Sequence, residues 1–180
     1  MATVTIRPDA SVSHTGFDTN LDTVVGLNTI NDDSDSTGIV QNSEEANFTV
    51  TMANSSDYSG ATINSIQAYV RGNANRVEES SVTLKVLNAA GSGLQDGTLS
   101  FGPSASTQTL GTLTSGLTPT VVDGLQLFVN PDGNGTVIYD CWIVVTFTAA
   151  TIVNPGFSLS NAYLAINGEM NLDSGQINLN

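Results

Sequence analysis

The sequence predicts an all-β fold: an antiparallel two-sheet sandwich with jelly-roll-like topology and a C-terminal extension. Short segments alternate apolar and polar residues at the two-residue period of a strand. Clusters of Gly, Pro, Asn, Asp and Ser separate these segments, as in chains of short strands joined by turns. No segment longer than a turn or two has the apolar spacing of a helix. With 180 residues, the chain is long enough to build a core without disulfides or metals.

Residues 137–149 predict the central strand of this sandwich. The segment is rich in β-branched and aromatic residues, which favour a strand over a helix. At the strand period one face is wholly apolar and comprises Val137, Tyr139, Cys141, Ile143, Val145 and Phe147. The other face carries Trp142 and is mixed, so we expect it to be partly covered. A turn at 131–135 is predicted to join this strand in a hairpin to a strand at 125–129.

The other strands follow from the same alternation. Residues 1–12 predict an edge strand with a bend at Arg7-Pro8-Asp9, because proline cannot donate a hydrogen bond to a sheet. Residues 13–45 are polar and predict a long loop or a pair of loops, with a short strand as the alternative for the apolar residues within 24–30. Further strands are predicted at 47–52, 63–72, 82–86, 94–101 and 107–113. The second and third of these are expected to pair as an antiparallel hairpin with one solvated face.

Residues 1–149 are predicted to form the sandwich domain, and residues 150–180 a separate β extension. The extension alternates too regularly for a solvated tail. It is either an arm that pairs with a neighbouring subunit or an extra hairpin on its own sandwich. An extended arm, at about 3.3 Å per residue, would reach well beyond its own domain. The apolar residues expected to make these contacts are Phe157, Leu159, Tyr163, Ile166, Leu172 and Ile177.

Charge and hydropathy argue against nucleic acid and membrane as partners. The chain carries 17 acidic and 4 basic residues, for a formal net charge of -13. Four basic side chains cannot build the phosphate-neutralising surface that nucleic-acid binding requires. No apolar run of about 18 residues and no basic-then-apolar leader is visible, so we expect neither a membrane span nor a signal peptide. The single cysteine, Cys141, lies in the apolar pattern and is expected to be a buried hydrophobe.

No catalytic residue is predicted. His14, the single histidine, lies in a polar segment without a nucleophile elbow and is expected at the surface. The carboxylate pairs Glu44-Glu45 and Glu78-Glu79 border strands, where solvated charge is the ordinary explanation. We therefore expect a protein that is not an enzyme.

One cluster of oxygen donors, at residues 31–35, offers ligands for a cation. Asp32, Asp33 and Asp35 are Ca²⁺ candidates because carboxylates suit that ion. Their spacing departs from that of an EF-hand loop, and the favoured interpretation is an Asx-turn loop in which the aspartates bond their own backbone. Apart from this calcium hypothesis, no cofactor is expected.

Two segments resemble a family of structural proteins of tailed-bacteriophage virions. They are TIRPDASVSHTGF at residues 5–17 and NDDSDSTGIV at residues 31–40, followed by an alternating FTVTM strand. Family members share the Arg-Pro-Asp opening followed by an aromatic residue, the Asp-Asp-Ser-Asp loop and a valine-rich closing strand. This chain departs from the pattern at Phe17, where tryptophan is usual, and at Ser36, where an aromatic residue usually follows the loop.

The resemblance implies a virion component, made in the host cytoplasm without a signal peptide. Its most concrete version is a decoration or cement protein on the outer surface of the head, stabilising the shell. The partners would be the major capsid protein and copies of itself, as a homo-oligomer for which a trimer is attractive. Arg7 and Asp9, together with the C-terminal extension, would supply the interface, since added strands offer main-chain hydrogen bonds without a pocket.

The alternative function is a carbohydrate-binding module associated with a tail or fibre, which recognises the host surface. Such sites present exposed aromatic side chains on a sheet face or a loop rim. Trp142 and Tyr58 are the candidates for glycan contact, with Tyr69 and Tyr163 as further aromatic residues. A third interpretation, a cellular surface-layer or adhesive protein, is disfavoured by the missing signal peptide.

Overall fold

The computed structural model describes residues 1–18, 27–43, 45–74, 79–132 and 135–150. Met1–Ala150 form one compact unit. The predicted C-terminal extension lies outside the described residues, together with its contact residues Phe157, Leu159, Tyr163, Ile166, Leu172 and Ile177. None of the helices in the described part of the chain is long and apolar enough to cross a membrane.

Ten strands account for most of the described chain. They are β1 (Ala2–Ile6), β2 (Pro8–Thr15), β3 (Ile39–Val40), β4 (Asn47–Met52), β5 (Thr62–Ala74), β6 (Ser80–Leu87), β7 (Gly93–Phe101), β8 (Ser106–Thr109), β9 (Gln126–Asp132) and β10 (Thr136–Thr148). A 3₁₀ turn, Ser56–Tyr58, precedes β5, and a short helix, α1 (Pro119–Val122), precedes β9.

The strands form two antiparallel sheets. Sheet A has the order β1-β10-β5-β8, with β3 also paired to β10, and sheet B has the order β2-β4-β9-β6-β7. From β4 onward the chain repeatedly crosses between the sheets, which is the connectivity of a jelly roll. The predicted fold class is therefore confirmed.

Two predicted hairpins are wrong. β5 lies in sheet A and β6 in sheet B, and β9 and β10 are likewise in different sheets. In each case the second strand belongs to the opposite sheet, so the two strands do not pair with each other. The hairpin that does form joins β6 to β7, and the Asn88 carboxamide holds its turn by accepting hydrogen bonds from the backbone N–H groups of Ala90 and Ser92.

The central position of β10 is confirmed, because it lies between β1 and β5. Its predicted inner face is right from Cys141 to Phe147 and wrong at Tyr139. An irregularity between Ile138 and Asp140 shifts the alternation by one residue. Ile138 therefore packs in the core at 0% exposure, and Tyr139 is only half-buried.

The predicted N-terminal bend is also confirmed. β1 is the last strand of sheet A on its side and β2 the last of sheet B, so the chain changes sheets at Arg7. Pro8 begins β2 on the edge of the sheet, a position where a missing N–H costs little. The Arg7 carbonyl accepts a hydrogen bond from the Ala53 N–H at 2.7 Å, which fixes the corner.

The core fills the space between the inner faces of the two sheets. Phe48, Val50, Ile66, Ala68, Val70, Leu84, Val86, Phe101, Leu127, Val129, Ile143 and Val145 are buried there. Cys141 is also buried, as predicted. The outer face of sheet A is left as a surface, and it carries the half-buried aromatic residues Tyr69 and Trp142.

Candidate functional site

A row of side chains crosses the outer face of sheet A, and we call it the aromatic ladder. It comprises Arg7, Trp142 and Tyr69. Tyr69 lies opposite Trp142 on one side and Thr109 on the other, while Arg7 follows Ile6, the partner of Ile143. The Tyr69 and Trp142 rings are stacked, with centroids 5.1 Å apart and planes within 2°. Such stacked pairs are worth about 0.5–1.5 kcal/mol beyond their buried area.

Arg7 closes one end of the ladder. Its guanidinium carbon lies 5.6 Å from the centre of the Trp142 ring, within the range of a cation–π contact. Its Nη1 donates to both carboxylate oxygens of Asp140, at 2.8 and 2.6 Å, and its Nη2 donates to Asp33. With Tyr69 stacked on it and Arg7 over it, the Trp142 indole presents mainly its outward edge.

Asp140 is a buried carboxylate beneath this contact. Its side chain is 2% exposed, whereas the Arg7 side chain is 24% exposed. Burial raises the pKa of Asp140 to about 6, against the opposing effect of the hydrogen bonds and charge of Arg7. Desolvation therefore outweighs the attraction of the ion pair, as is common for buried pairs.

The loop at residues 31–38 is held to the same face by two arginines. Arg7 binds Asp33, while Arg71 donates to both carboxylate oxygens of Asp35 at 2.5 Å each. These hydrogen bonds lower the pKa of Asp35. Arg71 also donates to the Thr107 hydroxyl at 3.2 Å, so it links the loop to β8.

The calcium candidates are turned toward different partners. Asp32 accepts hydrogen bonds from the Ser34 N–H, at 3.0 Å, and from the Thr37 hydroxyl, while Asp33 and Asp35 face the two arginines. The Asp32 contact to Ser34 is the predicted Asx turn. Within the described ranges, no group of three His, Cys, Asp or Glu residues could hold a metal ion.

Polar side chains border the aromatic ladder. Gln67 accepts a hydrogen bond from the Tyr69 hydroxyl at 2.8 Å and donates to the Leu110 carbonyl at 3.2 Å. Thr107 and Thr109 are exposed on β8. The face thus combines half-buried rings with an amide, hydroxyls and the Arg71–Asp35 pair.

A cleft of about 290 Å³ opens beside the Arg7 end of the ladder. Its lining is Arg7, Pro8, Asp9, Leu27, Asn28, Asn31 and Ala53. The Asn31 amide donates to the Pro8 carbonyl at 3.0 Å, which ties the loop to the bend between β1 and β2. The volume is just below the range of about 300–1,000 Å³ that is typical of small-molecule sites.

Of the two predicted glycan residues, Trp142 lies in the aromatic ladder, but Tyr58 is wrong as a surface aromatic. Its side chain is 0% exposed and packs edge-on against Phe147, with ring centroids 6.2 Å apart. A capping box at Ser55 turns the ring inward, and the Ser55 N–H donates to the Tyr58 hydroxyl at 3.2 Å. Burial, together with nearby Asp123, raises the pKa of Tyr58 to about 12.

The remaining predicted residues are scattered. Arg7 is engaged within its own chain, whereas Asp9 is exposed and accepts a hydrogen bond from the Thr51 hydroxyl at 2.6 Å. Their role between subunits stays a prediction. His14 is half-buried on β2. Glu45 and Glu79 are exposed, and their neighbours Glu44 and Glu78 lie outside the described residues.

No protein-family model matches the chain, and a search of curated proteins finds no match. Among solved structures, the C-terminal CBM6 of a marine laminarinase from Zobellia galactanivorans has a TM-score of 0.47 at 12% identity, over 81% of this chain and 99% of that one. The CBM36-1 domain of a multidomain xylanase from the hindgut metagenome of Trinervitermes trinervoides has a TM-score of 0.47 at 14% identity, over 83% and 100%. A carbohydrate-binding module from Cellvibrio mixtus lichenase 5A, in complex with cellotriose, has a TM-score of 0.42 at 14% identity, over 81% and 97%. These similarities are too distant to assign a ligand to this chain.

Proposed function

We propose that this chain is a carbohydrate-binding module that binds glycans on the outer face of sheet A. The observation that carries the proposal is the stacked pair Tyr69–Trp142, half-buried on a sheet face whose other residues are mostly polar. Aromatic side chains combine apolar contact area with specific geometry, so they suit the C–H surfaces of sugar rings. Because Trp142 is covered by Tyr69 and Arg7, the sugar would lie along the outward edges of the ladder.

The border of the ladder supplies the hydrogen-bonding groups that sugar hydroxyls require. Gln67 and Thr107 present an amide and a hydroxyl near the rings, and the Thr109 hydroxyl, which donates to the Ala68 and Leu110 carbonyls, presents its oxygen as an acceptor. The hydrogen bond from Tyr69 to Gln67 and that from Gln67 to Leu110 hold the amide in one orientation, which reduces the entropy lost on binding. A face with two aromatic residues among mostly polar ones fits a saccharide better than a protein partner with an apolar core.

The carrier of the module is proposed to be the virion of a tailed phage, at its tail or fibre. The two segments that resemble phage structural proteins meet in the fold, through Arg7–Asp33 and Asn31–Pro8. This contact supports the sandwich corner beside the ladder. Antibody labelling of virions tests the location: label at the tail supports a host-glycan module, and label over the head lattice would instead favour the capsid-decoration function.

Glycan binding itself is tested by array screening followed by calorimetry with Tyr69→Ala. Phe128→Ala is the matched control, because Phe128 is a half-buried ring on the opposite sheet, 5.4 Å from the Lys85 ammonium. We expect the wild type to bind a glycan, Tyr69→Ala to lose at least tenfold in affinity, about 1.4 kcal/mol, and Phe128→Ala to retain binding. Unchanged affinity in Tyr69→Ala, or an equal loss in both variants, would contradict the proposal. Circular dichroism and the fluorescence of Trp142 verify that each variant is folded.

A further inference from the structure

Two guanidinium groups flank the aromatic rings of the ladder. Arg7 lies at its end, and Arg71 lies two residues beyond Tyr69 on β5, on the same outer face. A guanidinium is the side chain best suited to bind a carboxylate, through two parallel hydrogen bonds. An unoccupied arginine here would therefore attract sugars that carry carboxylates.

Both guanidiniums are instead occupied by carboxylates of one loop. Asp35 binds Arg71 in the two-point geometry, from Nε to Oδ1 and from Nη2 to Oδ2, at 2.5 Å each. The Asp35 side chain is 46% exposed and that of Arg71 is 32% exposed, so the pair lies at the surface where a ligand would approach. Asp33 accepts a single hydrogen bond from Nη2 of Arg7 through Oδ1, and its side chain is 73% exposed.

The charges on this face sum to a negative value. Arg7 and Arg71 face Asp33, Asp35 and Asp140, and the whole chain has a formal net charge of -13. The third cation among the described residues, Lys85, lies over Phe128 on the opposite sheet. An anionic sugar would meet repulsion here unless it displaced one of the loop carboxylates.

We infer that Asp35 determines specificity: it occupies Arg71 in place of a ligand carboxylate and restricts the face to uncharged saccharides. The inference deepens the proposed function and rests on it for the identity of the natural ligand. Arg7 is less open to exchange, because Asp140 holds it from below. Asp35→Asn keeps the shape of the side chain and one acceptor while it removes the charge, so Arg71 should become available to an external carboxylate.

The test uses the full chain and sodium glucuronate, read out by the ¹⁵N-resolved Nε–H signals of the arginines. Asp57→Asn is the matched control, since Asp57 is an exposed aspartate in the 3₁₀ turn before β5. In Asp35→Asn, glucuronate should shift the Arg71 Nε–H signal at a concentration at least tenfold lower than in the wild type or Asp57→Asn. Equal responses in all three proteins, or no response in Asp35→Asn, would overturn the inference.

A parallel titration with a neutral glucan hexasaccharide and with oligogalacturonate of equal length separates the two proposals. If the wild type binds the neutral oligosaccharide and Asp35→Asn binds oligogalacturonate with at least tenfold higher affinity than the wild type does, the proposed function and the specificity inference are both supported. Equal binding of both oligosaccharides by the wild type overturns the specificity inference and leaves the proposed function intact. If an array finds no glycan for the wild type, the proposed function fails, and the glucuronate signal alone decides whether Asp35 blocks Arg71.

Discussion

Protonation of Asp140 is expected to stabilise the folded chain as the pH falls from 7.5 to 4.5. Its carboxylate is 2% exposed, and burial raises its pKa from 3.8 to about 6. A group whose pKa is higher in the folded state contributes stability that is complete below the unfolded pKa and is lost as the pH rises through the folded pKa. The shift corresponds to roughly 3 kcal/mol in total, of which about 2 kcal/mol falls between these two pH values.

The assay is urea unfolding at each pH, monitored by the fluorescence of Trp142, the single tryptophan, which lies beside Arg7 and Tyr69. The free energy of unfolding of the wild type should fall by about 2 kcal/mol from pH 4.5 to 7.5 through this group, and Asp140→Asn should lack that part of the slope. Asp35 acts in the opposite direction, because hydrogen bonds from Arg71 lower its pKa. Its contribution is lost as the pH falls through the region of its ordinary pKa of 3.8 and below, so only a small part of that loss lies within this window.

General repulsion among the acidic groups has the same sign, so the comparison between variants carries the test. Asp57→Asn removes one exposed negative charge and should keep the wild-type slope. Parallel curves for the wild type and Asp140→Asn would refute the reasoning. So would a wild-type stability that rises from pH 4.5 to 7.5.

Three further outcomes are expected. Gly72→Ala should lower the free energy of unfolding by about 1–3 kcal/mol in a denaturant titration, because its Cβ would lie 2.5 Å from the Val137 carbonyl oxygen. The control Gly93→Ala has open space around the new Cβ and should change the free energy of unfolding by less than about 0.5 kcal/mol. Equal effects of the two substitutions would contradict the packing argument. Cys141 should resist a thiol reagent in the native protein and react in urea, because burial raises the pKa of its thiol; native labelling at the unfolded rate would contradict this. A chain ending at residue 150 should give a cooperative thermal transition, since it contains the ten strands of the described residues. It should lose self-association if residues 151–180 form an intersubunit arm, and normal assembly of the truncated chain would eliminate the arm.

The fold class could be predicted because alternation and turn residues are local properties of the sequence. β4, β5, β6, β9 and β10 all lie where the pattern places them. Alternation shows which side chains are buried, but a strand of either sheet buries its inner face in the same core. The pattern therefore could not distinguish a hairpin from a crossing between the sheets, and both predicted hairpins failed for this reason. The outward position of Tyr139 could not be predicted, because an irregularity in β10 changes the register of the strand without changing its residue composition.

The candidate site could be predicted only in part. The outward position of Trp142 followed from its place in the strand period, but its partner Tyr69 is distant in the sequence and becomes a neighbour only through the pairing of β5 with β10. Tyr58 was misplaced because its segment has the composition of an exposed turn, whereas the capping box folds the ring back into the core. The sequence did contain one signal for the ion pairs of this face. With 17 acidic residues and few arginines in the chain, each arginine is expected to pair with a carboxylate.

The two arginines of this face have different physical roles: Arg7 holds parts of the fold together, whereas Arg71 forms an ion pair at the surface. Arg7 ties a buried carboxylate, the loop and the corner between the sheets together, through Asp140, Asp33 and its own carbonyl. Removing Arg7 would leave the buried carboxylate of Asp140 without its ion-pair partner, which is costly. The Arg71–Asp35 pair lies at the surface, where exposed ion pairs contribute little to stability. Asp35 can therefore change with little effect on the sandwich. Under the proposed function, a change in sugar preference would involve Asp35, while Arg7 and Asp140 maintain the sheet face.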